Sequence, residues 1–164
     1  MKKDIFLLVI IVIIFIIGIW YIVKSNQKKV EIKDIESFHL SYSKGYAANS
    51  YVRYGLSYDK SKNCYIATIK PYGIDEDDYL EIEVDKKFRD NIKDVLVEYH
   101  VEKWNGFNKN NPNVLDGDSF SLNVKIDEDE SISASGYMMW PENYRNVVSA
   151  IDNLFMTIYN NKKN

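Results

Sequence analysis

Five of the six aromatic side chains between positions 104 and 144 stand among amides and carboxylates, and their types suit recognition chemistry. Trp104, Phe107, Tyr137, Trp140 and Tyr144 lie in two stretches, WNGFNKNNPNVLDGDSFSL and SASGYMMWPENY, with Asn105, Asn108, Asp116 and Asp118 interleaved or nearby. Aromatic faces beside amides and carboxylates are what a carbohydrate or peptide site requires, because the rings supply contact area while a few polar groups fix orientation. The expected binding residues are therefore Trp104, Asn105, Phe107, Asp116, Asp118, Tyr137, Trp140 and Tyr144.

The same segment also reads as a scaffold. Asn105-Gly106 and Asp116-Gly117 offer the positive φ that tight turns need, and Asn113 and Asp116 are suited to accept backbone hydrogen bonds within a loop. Trp104 and Phe107 would pin such a loop to a core, and Gly136 would admit a close backbone approach. This density of ordering devices weights the scaffold above the open groove.

Other chemistry is sparse. Asp116 and Asp118, with Asn108, Asn110, Asn111 and Asn113, supply the oxygens that Ca²⁺ takes, but their spacing is not that of an EF-hand. The acidic runs at 75–78 and 127–130 read as solvated turns, and no metal or cofactor is expected. His39 falls on the polar side of a strand and His100 near a helix end, neither with a second histidine at metal-ligand spacing. Cys64 opens a strand with nothing nearby in sequence to lower its pKa, and Gly-x-Ser-x-Gly is absent. No catalytic residue is assigned. A hydrolase whose groups meet only in the fold is the alternative to a binding module.

The elements that would position these residues follow from periodicity. Phe38, Leu40 and Tyr42 alternate with polar neighbours, and so do Val52, Tyr54, Leu56 and Tyr58, then Tyr65, Ala67 and Ile69, then Leu80, Ile82 and Val84. Turn residues separate them at Lys60-Ser61-Lys62-Asn63 and Pro71-Tyr72-Gly73. From Asp85, the positions Phe88, Ile92, Val95, Leu96 and Tyr99 form a helical stripe, with Arg89 assigned to the charged opposite face. Phe120, Leu122, Val124 and Ile126, a turn at 127–130, and Ile132, Ala134 and Gly136 make a hairpin. A second helix is predicted to begin at Pro141, with Tyr144, Val147, Val148, Ile151, Leu154, Phe155 and Ile158 on its inner face. The order ββββαββα predicts an α+β domain of two layers, an antiparallel sheet of about six strands with two helices on one face.

The N-terminus carries a different signal. Residues 5–23, IFLLVIIVIIFIIGIWYIV, are nineteen consecutive uncharged positions behind Lys2-Lys3. At about 1.5 Å of rise per residue such a helix crosses the hydrocarbon core of a bilayer. The run exceeds the h-region of a signal peptide, no small-x-small cleavage pattern follows it, and Trp20 and Tyr21 sit where rings favour headgroups. The expected organisation is a cytoplasmic tail (1–4), a transmembrane anchor (5–23), a juxtamembrane stalk (24–35) and a single domain (36–164). Lys24, Lys28, Lys29 and Lys33 oppose an N-in arrangement by charge counting. Export of the large C-terminal part as a signal-anchor favours it, so the domain is expected outside the membrane. Residues 36–164 carry a net charge of −6 and no basic stripe, which argues against nucleic acid. The partners expected are the membrane, through residues 5–23, and an envelope ligand or protein.

The elements WNGF, LDGDSF, SASG and PENY together resemble a pattern in uncharacterised membrane-anchored or lipoprotein-type proteins of Gram-positive gut bacteria. The resemblance covers the C-terminal third to half of the chain. It implies a location at the cell envelope and carries no biochemical activity with it.

Overall fold

The computed structural model describes residues 13–16, 18, 30–43, 50–75 and 78–163. Among the described residues seven strands form one sheet: β1 (Ser37–Ser43), β2 (Tyr51–Asp59), β3 (Cys64–Lys70), β4 (Leu80–Val84), β5 (Asn108–Asn110), β6 (Ser119–Lys125) and β7 (Ser131–Tyr137). Helix α1 (Lys86–Glu98) follows β4, a 3₁₀ turn (Val101–Trp104) leads to β5, and helix α2 (Tyr144–Lys163) follows β7. The spatial order is β4-β3-β2-β1-β6-β7-β5. The four-strand meander and the hairpin thus join where β6 lies antiparallel to β1, with Leu40 opposite Leu122 and Tyr42 opposite Phe120.

Period-two alternation accounts for one buried sheet face. Phe38, Leu40, Val52, Tyr54, Leu56, Ala67, Ile69, Phe120, Leu122, Val124, Ile132 and Ala134 are all buried, and the helices bring Phe88, Ile92, Leu96, Val147, Ile151, Phe155 and Tyr159 onto them in one core. Phe155 is its centre, stacked on Tyr54 at 4.7 Å and meeting Phe88 edge-on at 5.1 Å. Burying a side chain of this size contributes about 2–3 kcal/mol. The opposite face carries His39, Ser41, Arg53, Ser121, Asn123 and Ser133 and is uncovered or only partly covered.

Local chemistry sets the boundaries. Asp85 caps α1, its carboxylate accepting the Phe88 N–H at 2.9 Å. Asp59 folds the β2–β3 turn by accepting from the Ser61 N–H at 2.8 Å, and Asp127 folds the β6–β7 turn by accepting from Asp129 and Glu130. Lys162 and Lys163 lie in the last turn of α2, against the negative end of its dipole.

Five features differ from the sequence-based expectation. The sheet has a seventh strand, β5, and it pairs with β7 in parallel, so the sheet is not wholly antiparallel. Residues Asn108–Asn110 are all exposed and show no apolar alternation; backbone pairing and a hydrogen bond from the Ser135 hydroxyl to the Asn108 side-chain oxygen at 3.2 Å define this edge. Helix α2 begins at Tyr144 rather than Pro141, because Asn143 adopts φ 62° and Pro141 instead heads a turn whose carbonyl accepts the Tyr144 N–H. Arg89 is buried, not solvated: its guanidinium meets Asp34 at 2.6 Å and Asp90 at 2.7 Å and donates to the Tyr65 hydroxyl at 3.3 Å.

Ile35 and Ile32, assigned to the stalk, are 1% and 9% exposed and belong to the core, so packing reaches back across the stalk boundary. Finally, Gly106 has the expected positive φ of 78°, whereas Gly117 does not. A methyl on Gly117 would collide with Met138, so it is small for space rather than for backbone freedom.

The expected anchor, residues 5–23, lies outside the described residues except for 13–16 and 18, which are helical and exposed. Among the described residues no helix is long and apolar enough to cross a membrane. The tail at 1–4 also lies outside them.

Candidate functional site

Phe120, at the start of β6, gathers most of the aromatic residues singled out in the sequence. Its ring lies 4.7 Å from Tyr144, 5.7 Å from Trp140, and 6.1 Å from both Trp104 and Phe107. Gly136 opposite Phe120 makes this possible, since a Cβ there would run into the Phe120 ring and the Met139 carbonyl. The cluster divides by exposure. Trp104 is 2% exposed and donates its indole N–H to the Glu142 carbonyl at 3.0 Å, so it is a structural pin with its polar atom satisfied. Trp140 is only partly buried and stacks on Tyr144 at 4.7 Å with 21° between the rings.

Trp140 borders two hollows. The first, about 280 Å³, lies between the start of α2 and the adjoining ends of β1 and β6, and is lined by Tyr42, Ser43, Asp118, Trp140, Tyr144, Arg145, Val148, Ser149 and Asp152. Tyr144, Val148 and Asp152 fall four residues apart, so one line of α2 forms a wall. Arg145 is exposed at the rim. The second hollow, also about 280 Å³, is bordered by His100, Lys103, Lys109, Trp104, Phe107 and Glu142 among others. One side of Trp140 thus faces a carboxylate-bearing recess and the other a largely basic one.

Deep in the first hollow the Tyr42 hydroxyl donates to both Asp152 oxygens, at 2.7 and 2.9 Å. Burial, followed by this hydrogen bond and the Asp152 charge, pushes the Tyr42 phenol far above its ordinary range. Burial and then the same carboxylate raise Tyr54. Tyr144 is raised by burial and then by the fields of Asp118 and Asp152, so both carboxylates act on a ring in the wall. Ser43 and Ser119 share a hydroxyl contact at 2.9 Å beside them.

The eight predicted binding residues do not form one groove. Asp118, Trp140 and Tyr144 line the first hollow, and Trp104, Phe107 and Trp140 line the second. Asn105 instead accepts the Ser133 N–H at 3.2 Å and anchors β7. Tyr137 lies on the other sheet face and donates to the Leu115 carbonyl at 2.7 Å, fastening the loop in which Asp116 is exposed. Within that loop Asn111, rather than Asn113 or Asp116, accepts a backbone N–H. The residues that sequence reasoning missed are Tyr42, Arg145, Ser149 and Asp152; the spacing of Asp152 from Tyr144 and Val148 was the available signal.

The other candidates lie apart. His39 is on the outer sheet face, its pKa lowered by burial and then by Arg53. Cys64 is partly buried, and burial followed by Glu83 and Asp59 raises its thiol pKa, the wrong direction for a nucleophile. Among the described residues, no three His, Cys, Asp or Glu side chains gather as a metal-ligand set. A larger hollow of about 660 Å³ is bordered in part by Arg89, whose guanidinium is already committed to Asp34 and Asp90. Compared against protein families and curated proteins, the chain matches none.

Proposed function

We propose that this chain is a membrane-anchored binding module whose α+β domain stands outside the membrane, at the cell envelope, and takes its ligand in the hollow between Trp140 and Asp152. The observation that carries the reading is a half-buried aromatic pair, Trp140 on Tyr144, beside two carboxylates in a preformed recess. An uncharged run at 5–23 supports the anchor. Chain geometry supports the presentation of the site. Residues 24–29 separate that run from the described segment at 30, a reach of at most about 25 Å. Asp34 and Ile35 hold that segment to the body, and β1 then runs about 20 Å from there to Tyr42 and Ser43. The hollow therefore lies at the end of β1 remote from the tether.

Full-length protein labelled with 5-fluorotryptophan has three reporters, Trp20, Trp104 and Trp140. Screening small neutral, cationic and anionic compounds should move the Trp140 ¹⁹F resonance while leaving that of buried Trp104 in place. Movement of neither, or of both together, would contradict the reading. Protease treatment of intact cells should remove the domain; its loss only after permeabilisation would refute the extracytoplasmic placement.

A hydrolase is the second reading, favoured by Asp118 and Asp152 sharing one hollow. Turnover of a glycoside or peptide substrate, abolished by Asp118→Asn, would replace the binding module with it.

A further inference from the structure

The charge balance of the hollow, on the reading just given, specifies what enters it. Asp152 is a partly buried carboxylate on α2, and its polar partners are phenol hydroxyls. Among the described residues no cation forms an ion pair with it. A carboxylate withdrawn from water is costly until a positive charge meets it, and hydroxyl donors offset only part of that cost. Arg145 does not supply the charge. It is exposed at the rim, seven residues away and so about 10.5 Å along the helix. The wall of the hollow toward the start of α2 is aromatic: Tyr144, with Trp140 stacked on it. A ring face attracts a cation and does not attract an anion.

We propose that the hollow binds a small amine-bearing ligand with its ammonium group on Asp152 and its body along the wall that Tyr144 and Trp140 form. Arg145, a two-turn step away, then receives an oxygen acceptor or carboxylate at the other end of the same ligand. The recess of about 280 Å³ suits one side chain or one sugar ring rather than a folded partner. Two sources carry this chemistry, a lysine-type side chain and an amino sugar.

The test follows the Trp140 ¹⁹F resonance of the full-length protein with four probes: Nα-acetyllysine, Nα,Nε-diacetyllysine, glucosamine and N-acetylglucosamine. Within at least one pair the free amine should bind, and capping it should weaken binding by about tenfold or more. Preference for the lysine pair assigns a peptide source, and preference for the glucosamine pair an amino-sugar source. Asp152→Asn, which keeps the shape and an acceptor for Tyr42, should reduce the free amine to the level of its capped partner. The comparison within pairs uses the unaltered protein, so it stands whether or not the variant folds. Equal binding of capped and free probes would overturn the ammonium assignment while leaving the hollow as a binding site. No Trp140 response to any of the four would also overturn it, and the site itself is then judged by the neutral and anionic compounds of the wider screen.

Discussion

The hydroxyl of Tyr42 reaches both carboxylate oxygens of Asp152 across 110 residues of sequence, tying the far end of β1 to the third turn of α2. Tyr42→Phe keeps the ring and removes the donor, leaving a half-buried carboxylate short of a partner. A loss of about 1–3 kcal/mol in urea unfolding is expected. Asp152→Asn should cost less, since the amide oxygen still accepts.

The same contact gives the protein an alkaline limit. Tyr42, Tyr54 and Tyr144 all have phenol pKa values raised above the ordinary 10.0. Above that value the unfolded chain loses these protons before the folded one, so stability is whole below about pH 10 and falls as pH rises. A phenolate titration followed by absorbance should show some tyrosines ionising only as the fold is lost. A smooth titration of all thirteen with the fold intact would contradict this.

His39 works on the acid side. Burial and then Arg53 lower its pKa below 6.5, so the unfolded state takes up the proton first as pH falls. Its contribution is fully present above pH 6.5 and is lost below it. His39→Asn should therefore shrink the stability difference between pH 7.5 and 5.5 relative to the parent chain, measured by denaturant midpoints.

Arg89 and Asp34 predict an asymmetry. The Arg89 side chain is 7% exposed and that of Asp34 is 56% exposed. Arg89→Ala removes packing and the contacts to Asp34, Asp90 and Tyr65 together, and should cost about 2–3 kcal/mol. Asp34→Ala leaves Arg89 paired with Asp90 and should cost under about 1 kcal/mol. Limited proteolysis near residue 30 should quicken in the Arg89 variant.

Two glycines separate space from backbone conformation. Gly136→Ala forces a methyl against Phe120 and the Met139 carbonyl, and a loss of about 3 kcal/mol is expected. Gly106→Ala meets nothing within 4 Å but must hold φ near 78°, so about 1–2 kcal/mol is expected. Thermal melts of both variants check the order.

What the sequence disclosed was whatever repeats. Phe38-Leu40-Tyr42 and Phe120-Leu122-Val124 alternate because one face of each strand is buried, and Ile92 and Leu96 recur because one helix face is. β5 escaped because Asn108–Asn110 are all exposed and polar, without an apolar side-chain period to read. Arg89 escaped because a guanidinium in a charged row looks solvated until Asp34 is brought to it from 55 positions earlier. The aromatic cluster was legible by type, and the scaffold reading already set Trp104 against the core; what was not legible is the hollow, where only folding leaves Trp140 beside the α2 wall. Asp152 reads as one more polar helix position until Tyr42 meets it.

The most direct test of the binding site is chemical-shift mapping on the isotope-labelled full-length chain with whichever probe binds most tightly. Perturbations should cluster at Asp118, Trp140 and residues 144–152. Perturbations centred instead on the outer sheet face, at His39, Ser41, Arg53, Ser121 and Asn123, would contradict the account.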